Sequence, residues 1–326
     1  VSEIQWTDET WNPTVGCSRV SPGCEHCYAE RVASRGMLDA HRGLTKQTSR
    51  GPVWTGEVRC LPERLEIPLR WRKPRRVFVD SMSDLFHESV PDSFIDRVFA
   101  VMQACPQHVF QVLTKRPERM RSYMEGASER VRDYGEALAA DHEWCHAHED
   151  RDWPLSNVQL GTSVEDQPRA DERTPHLLAT PAAVRFLSLE PLLGPVDVGP
   201  WLAGPETVGS CARQWSEEAR ALVGDMARAW PRIQWLIIGG ESGPGARPCE
   251  VAWIRSLRDQ GREAGVPVFV KQLGSRPITT GAAWSQGKDF PEIRLNEGAW
   301  EAVLRNRKGG DPAEWPEDLR VREWPA

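Results

Sequence analysis

The stretch VFVDSMSDLF (77–86), followed by HESVPDSFIDRVFAVM (87–102), decides the fold class. A short apolar run, Val77 to Val79, ends in the polar residues Asp80, Ser81, Ser83 and Asp84. Apolar residues then recur at 94, 95, 98, 99, 101 and 102, close to helical spacing, which predicts a helix over Pro91–Met102. The same unit repeats along the chain. Val109–Leu113 ends at Thr114 and Lys115, Val158–Leu160 leads into Thr162, Ser163 and Glu165, and Val184–Leu189 ends at Glu190. Ile233–Ile238 runs into Gly239, Gly240 and Glu241, and Val266–Val270 ends at Lys271 and Gln272, with a second predicted helix, Glu250–Arg258, between them. Strand and helix in alternation argue for an α/β fold, a partial or full (β/α) barrel of buried parallel strands. In such a barrel reactive groups gather at the C-terminal ends of strands. That rule nominates Asp80, Ser81, Ser83, Asp84, Thr114, Lys115, Ser163, Glu165, Glu190, Glu241 and Lys271 as one candidate site.

Three segments read as additions to this core. Residues 125–156 are charged and carry His142, Cys145, His146 and His148 in a spacing that matches no standard zinc finger, so a solvated, helix-rich insert is expected. Residues 200–232 form a second insert, with an amphipathic helix at Ser216–Leu222, and 279–326 is a C-terminal extension rich in Trp, Pro and charge. No internal repeat or long low-complexity linker divides the chain, and 1–326 is expected to be one elaborated domain.

The chemistry is carried by GCSRVSPGCEHCYAE (16–30), where Cys17, Cys24 and Cys27 follow C-x6-C-x2-C. Three thiolates from one loop can hold three irons of a 4Fe-4S cube and leave the fourth open to a ligand. Zinc is the competing reading, but a closed zinc site needs four ligands, and His26 sits between Cys24 and Cys27, poorly placed to share their metal. A disulfide framework fits less well still, because the other cysteines, Cys60, Cys105, Cys145, Cys211 and Cys249, are scattered over a long chain.

Composition is that of an ordinary globular protein, with 40% hydrophobic and 27% charged residues. No apolar run reaches the roughly 18 residues that span a bilayer, and the opening VSEIQWTDETWNP has no signal segment. No membrane association and a cytoplasmic location, where thiols stay reduced, are the expectations. The net charge of −6 gives no global attraction for nucleic acid. Two local stretches are basic, RWRKPRR (70–76) and KRPERMR (115–121), and Trp71 interleaves the first. Such a patch can hold a phosphate backbone, although a solvated face is the commoner meaning of a charge run. GPGARP (243–248) reads equally as an anion-binding nest or as plain turns.

The cysteine loop resembles that of the radical S-adenosylmethionine (SAM) superfamily, whose usual spacing is C-x3-C-x2-C; three further residues separate the first two cysteines here, and Tyr28 supplies the aromatic neighbour of the last. More closely, the chain is similar to an uncharacterised family of three-Cys-motif, radical-SAM-like proteins of bacteriophages and mobile elements. That likeness runs through TWNPTVGCSRVSPGCEHCYAE (10–30), FVDSMSDLFHESVP (78–91), VLTKRPERM (112–120), LGTSVEDQ (160–167), LSLEPLLGPV (187–196), IIGGESGPGARP (237–248) and VFVKQLG (268–274).

The resemblance implies a radical-SAM-like barrel with a 4Fe-4S cluster on Cys17, Cys24 and Cys27. It also implies SAM as cofactor and an electron donor such as flavodoxin or ferredoxin. Tyr28, Asp80, Ser81, Ser83, Thr114, Ser163, Glu165, Gly239, Gly240 and Glu241 become candidate SAM contacts. The Gly239–Gly240–Glu241 sequence is of the type that meets the SAM amino group, but it comes late in the chain, so Asp80–Asp84 is the better candidate for that role. Lys115, Glu190 and Lys271 are the candidate catalytic groups. The substrate expected is a nucleic-acid base or nucleotide. The alternative class is a zinc-stabilised nucleic-acid-binding or accessory protein without catalysis.

Overall fold

The computed structural model describes residues 4–141, 153–202, 232–280, 292–296 and 298–325. Seven strands form one parallel sheet and are hydrogen-bonded in chain order: β1 (Glu9–Trp11), β2 (Arg76–Val79), β3 (Val109–Thr114), β4 (Val158–Ser163), β5 (Val184–Leu189), β6 (Trp235–Gly239) and β7 (Val268–Gln272). Register follows the apolar runs, with Val77 opposite Phe110, Phe110 opposite Val158, and Leu236 opposite both Leu187 and Val268. Strands β4 and β6 are buried along their whole length, as strands covered on both faces must be.

Helices make the crossovers. Among the described residues, those of six residues or more are, in chain order, α1 (Tyr28–Ala33), α2 (Asp92–Ala104), α3 (Pro117–Met124), α4 (Ser128–Asp141), α5 (Gln167–Ala179) and α6 (Val251–Glu263). The α/β reading therefore holds, and all six apolar runs are strands. Their ends shift for local reasons. The run predicted from Val266 becomes a strand only at Val268, because Val266 N–H closes the end of α6 on Gly261 O and Pro267 has no N–H to give a ladder.

The chain divides into two compact units. The first comprises residues 1–162 and 176–185. Its edge strand β1, three residues long, is too short to show periodicity and was not expected. Burial of Trp11, whose ring packs 5.8 Å from that of Phe110 and whose Nε1 donates to Arg64 O, fixes it. The second unit comprises 163–175 and 186–326. It contains a four-stranded sheet built from Cys249–Glu250, Pro277–Thr280, Ala299–Ala302 and Glu292–Asn296. Trp315 is fully buried, and Val321 O and Glu323 N bond the backbone of β7. The described part of the predicted C-terminal extension is thus woven into this unit's core.

Among the described residues no helix is long and apolar enough to cross a membrane. Within the first expected insert α4 is a helix whose Val131 is buried; His142, Cys145, His146 and His148 lie outside the described residues. So does Ser216–Leu222 of the second.

Candidate functional site

The cysteine loop of the first unit is clamped at its start by Gly16. That residue has φ +91°, and a Cβ there would sit 2.2 Å from Glu57 O, so only glycine can turn the chain into Cys17. The segment after β2 runs alongside. Gly16 bridges Ser83, Asn12 Oδ1 accepts from Ser81 Oγ and Met82 N, and Thr14 and Ser83 share a short hydroxyl contact. Asp80, with φ +58° and 2% exposure, accepts from Thr14 N at 3.0 Å through Oδ1, while Oδ2 is buried and has no hydrogen-bond partner among the described residues. Burial drives its carboxyl up to about 8. Three of the residues nominated for SAM, Asp80, Ser81 and Ser83, are therefore tied into the frame beneath the loop.

Cys17 and Cys27 are half-buried and pack, with Met82, against a cluster of Val15, Ala29, Ala33, Leu44, Trp54 and Leu61. Cys24 ends a single 3-10 turn and lies in electrostatic reach of both. Burial, reinforced by Asp84 and opposed by Arg116, pushes the Cys17 thiol up to about 12; burial also raises Cys27. Such thiols are protonated until a metal displaces the proton. Downstream, buried Glu30 accepts two bonds from Arg19 and one from Trp54 N, fixing α1 behind Cys27. Tyr28 is 48% exposed and its hydroxyl donates to Ser81 O. Among the described residues no three His, Cys, Asp or Glu side chains are gathered as a ready-made metal cage. The all-sulfur donor set of one loop suits iron–sulfur or another thiophilic metal.

Asp84 is the hub on the other side of the loop. Its Oδ1 accepts from Thr114 Oγ1 (2.7 Å) and Phe86 N (3.0 Å), and its Oδ2 from Lys115 N (3.0 Å) and Arg116 Nη1 (3.1 Å). Arg116, 7% exposed, donates onward to Cys17 Sγ at 3.8 Å, to Ser18 Oγ at 2.7 Å and to Glu88 at 2.9 Å. Burial works against this charge, but Asp84, Cys17 and Glu88 outweigh it and hold the guanidinium above its ordinary range. The sequence pattern nominates Lys115, places Arg116 only within a basic stretch, and does not nominate His87 or Glu88. One signal was legible: Arg116 directly precedes Pro117, the first residue of α3, and so occupies a strand-to-helix turn where site residues collect.

The second unit holds a separate group at the ends of β5, β6 and β7. Lys271 Nζ lies 2.7 Å from both oxygens of Glu190, and Gln272 Nε2 bridges Glu190 Oε1 and Gly240 O at 2.9 Å each. A Cβ on Gly240 would lie 2.4 Å from Leu273 O, and one on Gly239 would press on Gln272 and Glu190 at 3.3–3.4 Å, so both glycines answer to close packing. Glu241 accepts three bonds from Arg247. Glu165, with zero exposure, pairs with Arg173, which also donates to the carbonyl of buried Ser163. Of the acids nominated here, Glu165 and Glu241 are buried and Glu190 is partly exposed.

The family model that matches is described as a protein of unknown function, DUF5131, and it covers residues 1–304. The chain belongs to the DUF5131 family. No curated protein and no solved structure matches it. In this DUF5131 chain Asp84, Arg116 and Ser18 converge on Cys17.

Proposed function

We propose that the chain is a radical SAM enzyme that carries a 4Fe-4S cluster on Cys17, Cys24 and Cys27 and acts on a nucleic-acid base or nucleotide. The observation that carries this reading is the set of three thiols on one loop, two of which, Cys17 and Cys27, share an apolar floor, with a buried guanidinium at the first of them. The chain-order parallel sheet supports assignment to the (β/α) barrels of that superfamily. When bound, the cluster and SAM supply one-electron cleavage of a sulfonium bond and so radical chemistry on carbon, with the electron coming from a donor such as flavodoxin or ferredoxin.

The chain's own residues orient and shield. Arg116 and Asp84 fix the start of the loop, and Met82 and the apolar floor limit water at Cys17 and Cys27. Tyr28, half-exposed beside Cys27, offers an aromatic face to an incoming ligand.

Anaerobic reconstitution with iron and sulfide tests the reading. The wild type should turn brown, with iron–thiolate absorbance near roughly 400 nm, and should cleave SAM under dithionite. The triple alanine variant of Cys17, Cys24 and Cys27 should do neither. A colourless protein with stoichiometric zinc and no SAM binding would establish the zinc-stabilised alternative instead.

A further inference from the structure

Arginine has five N–H donors in a rigid fork, and Arg116 commits every one. Nε donates to Glu88 Oε1, Nη1 to Asp84 Oδ2 and Cys17 Sγ, and Nη2 to the Ser18 carbonyl and hydroxyl oxygens. Two carboxylates aim the fork, and its free edge grips two consecutive residues of the cysteine loop. A lysine at this position has the charge but not the planar edge.

Proton bookkeeping extends that edge by one group. Ser89 N–H donates to His87 Nδ1 at 3.1 Å, so the imidazole proton resides on Nε2, which lies 2.9 Å from Ser18 Oγ and donates to it. Ser18 Oγ thus accepts from both His87 and Arg116, and both of its lone pairs are used. Its own proton must point elsewhere, and among the described residues no acceptor takes it. Ser18 is half-exposed and adjoins Cys17.

We propose that Arg116 and Ser18 form the donor edge of the cysteine site: Arg116 is a positioning residue that holds Cys17, and together with the Ser18 hydroxyl it directs hydrogen-bond donors at the sulfur of the bound iron–sulfur group, raising its reduction potential. The inference rests on the cluster reading. Donors to ligand sulfur stabilise the more electron-rich, reduced state, which is how neighbouring groups tune such centres. Asp84, Glu88 and His87 act one step further out, by aiming the two donors.

The test is the midpoint potential of the anaerobically reconstituted full chain, with iron content measured on the same samples. Ser18→Ala should keep wild-type iron and show a lower potential, and Ser18→Thr should restore it. Arg116→Lys should lower the potential further. If Arg116→Lys does not fold, the serine pair decides alone. Ser18→Ala with full iron and an unchanged potential overturns the inference and leaves the cluster reading standing. A wild type that takes up no iron overturns both.

Discussion

Lys271 Nζ sits 2.7 Å from each carboxylate oxygen of Glu190, and the neighbouring Gln272 amide donates to one of the same oxygens. Both charged side chains are about one-fifth exposed, at 22% and 18%. Removing one leaves the other partly desolvated and unmatched, a loss of about 1–3 kcal/mol. Lys271→Met and Glu190→Gln should each lower the unfolding free energy in urea by that order, and the double variant should lose less than their sum. Iron content should stay at the wild-type level.

Glu165 and Arg173 make a stronger case for stability. Their side chains are 0% and 3% exposed, with the guanidinium 3.1 Å from Glu165 Oε2. Arg173→Met strands a buried carboxylate, which should cost about 3–5 kcal/mol in urea denaturation. Where the variant remains folded, its iron loading should equal that of the wild type, since Arg173 bonds Glu165 and the Ser163 carbonyl. Loss of iron with full stability would instead place Glu165 at the site.

The parallel strands were legible because each is a short apolar run closed by polar residues, and Val184–Leu189 even kept its predicted bounds. β1 was not, because the three residues Glu9–Trp11 show no period and are held by a partner, β2, more than sixty positions away. The same distance hid the roles of site residues. Asp80, Ser81 and Ser83 look like ligand groups by position, yet their partners Thr14 and Asn12 lie in another segment. Arg116 was concealed by its neighbour: nothing in Lys115–Arg116 says which cation turns inward, and only the carboxylates of Asp84 and Glu88 decide it.

The basic stretch at 70–76 changes character once its partners are known. Arg75 pairs with Glu9 and packs over Trp71, and Arg76 pairs with Asp8. Arg72 and Lys73 are exposed, and among the described residues neither makes an ion pair. If single-stranded nucleic acid uses this face, Arg72→Ala with Lys73→Ala should weaken binding and reduce the salt dependence by roughly one unit of slope per cation. Binding measured by fluorescence anisotropy across a salt series checks this. An unchanged slope in the double variant would remove the stretch from any substrate-binding role.

Asp80 gives a prediction with a definite sign. Burial raises its carboxyl to about 8 from an ordinary value near 3.8, and among the described residues its Oδ2 finds no hydrogen-bond partner. Between those two values the folded chain holds a proton that the unfolded chain has released. Asp80 therefore contributes most to stability below about pH 4, and the contribution drains away as pH rises through about 8, at roughly 1 kcal/mol per pH unit inside the window. Asparagine keeps an acceptor for Thr14 N–H and tolerates the left-handed backbone at φ +58°, while removing the titration. The comparison that isolates Asp80 is the wild-type minus Asp80→Asn difference in urea unfolding free energy, because other titrating groups cancel in it. That difference should fall steadily from pH 4 to pH 8. A difference that stays flat over this range would mean that Asp80 is ionised in the folded protein, so that the cysteine loop rests on a buried charge and not on a neutral acid.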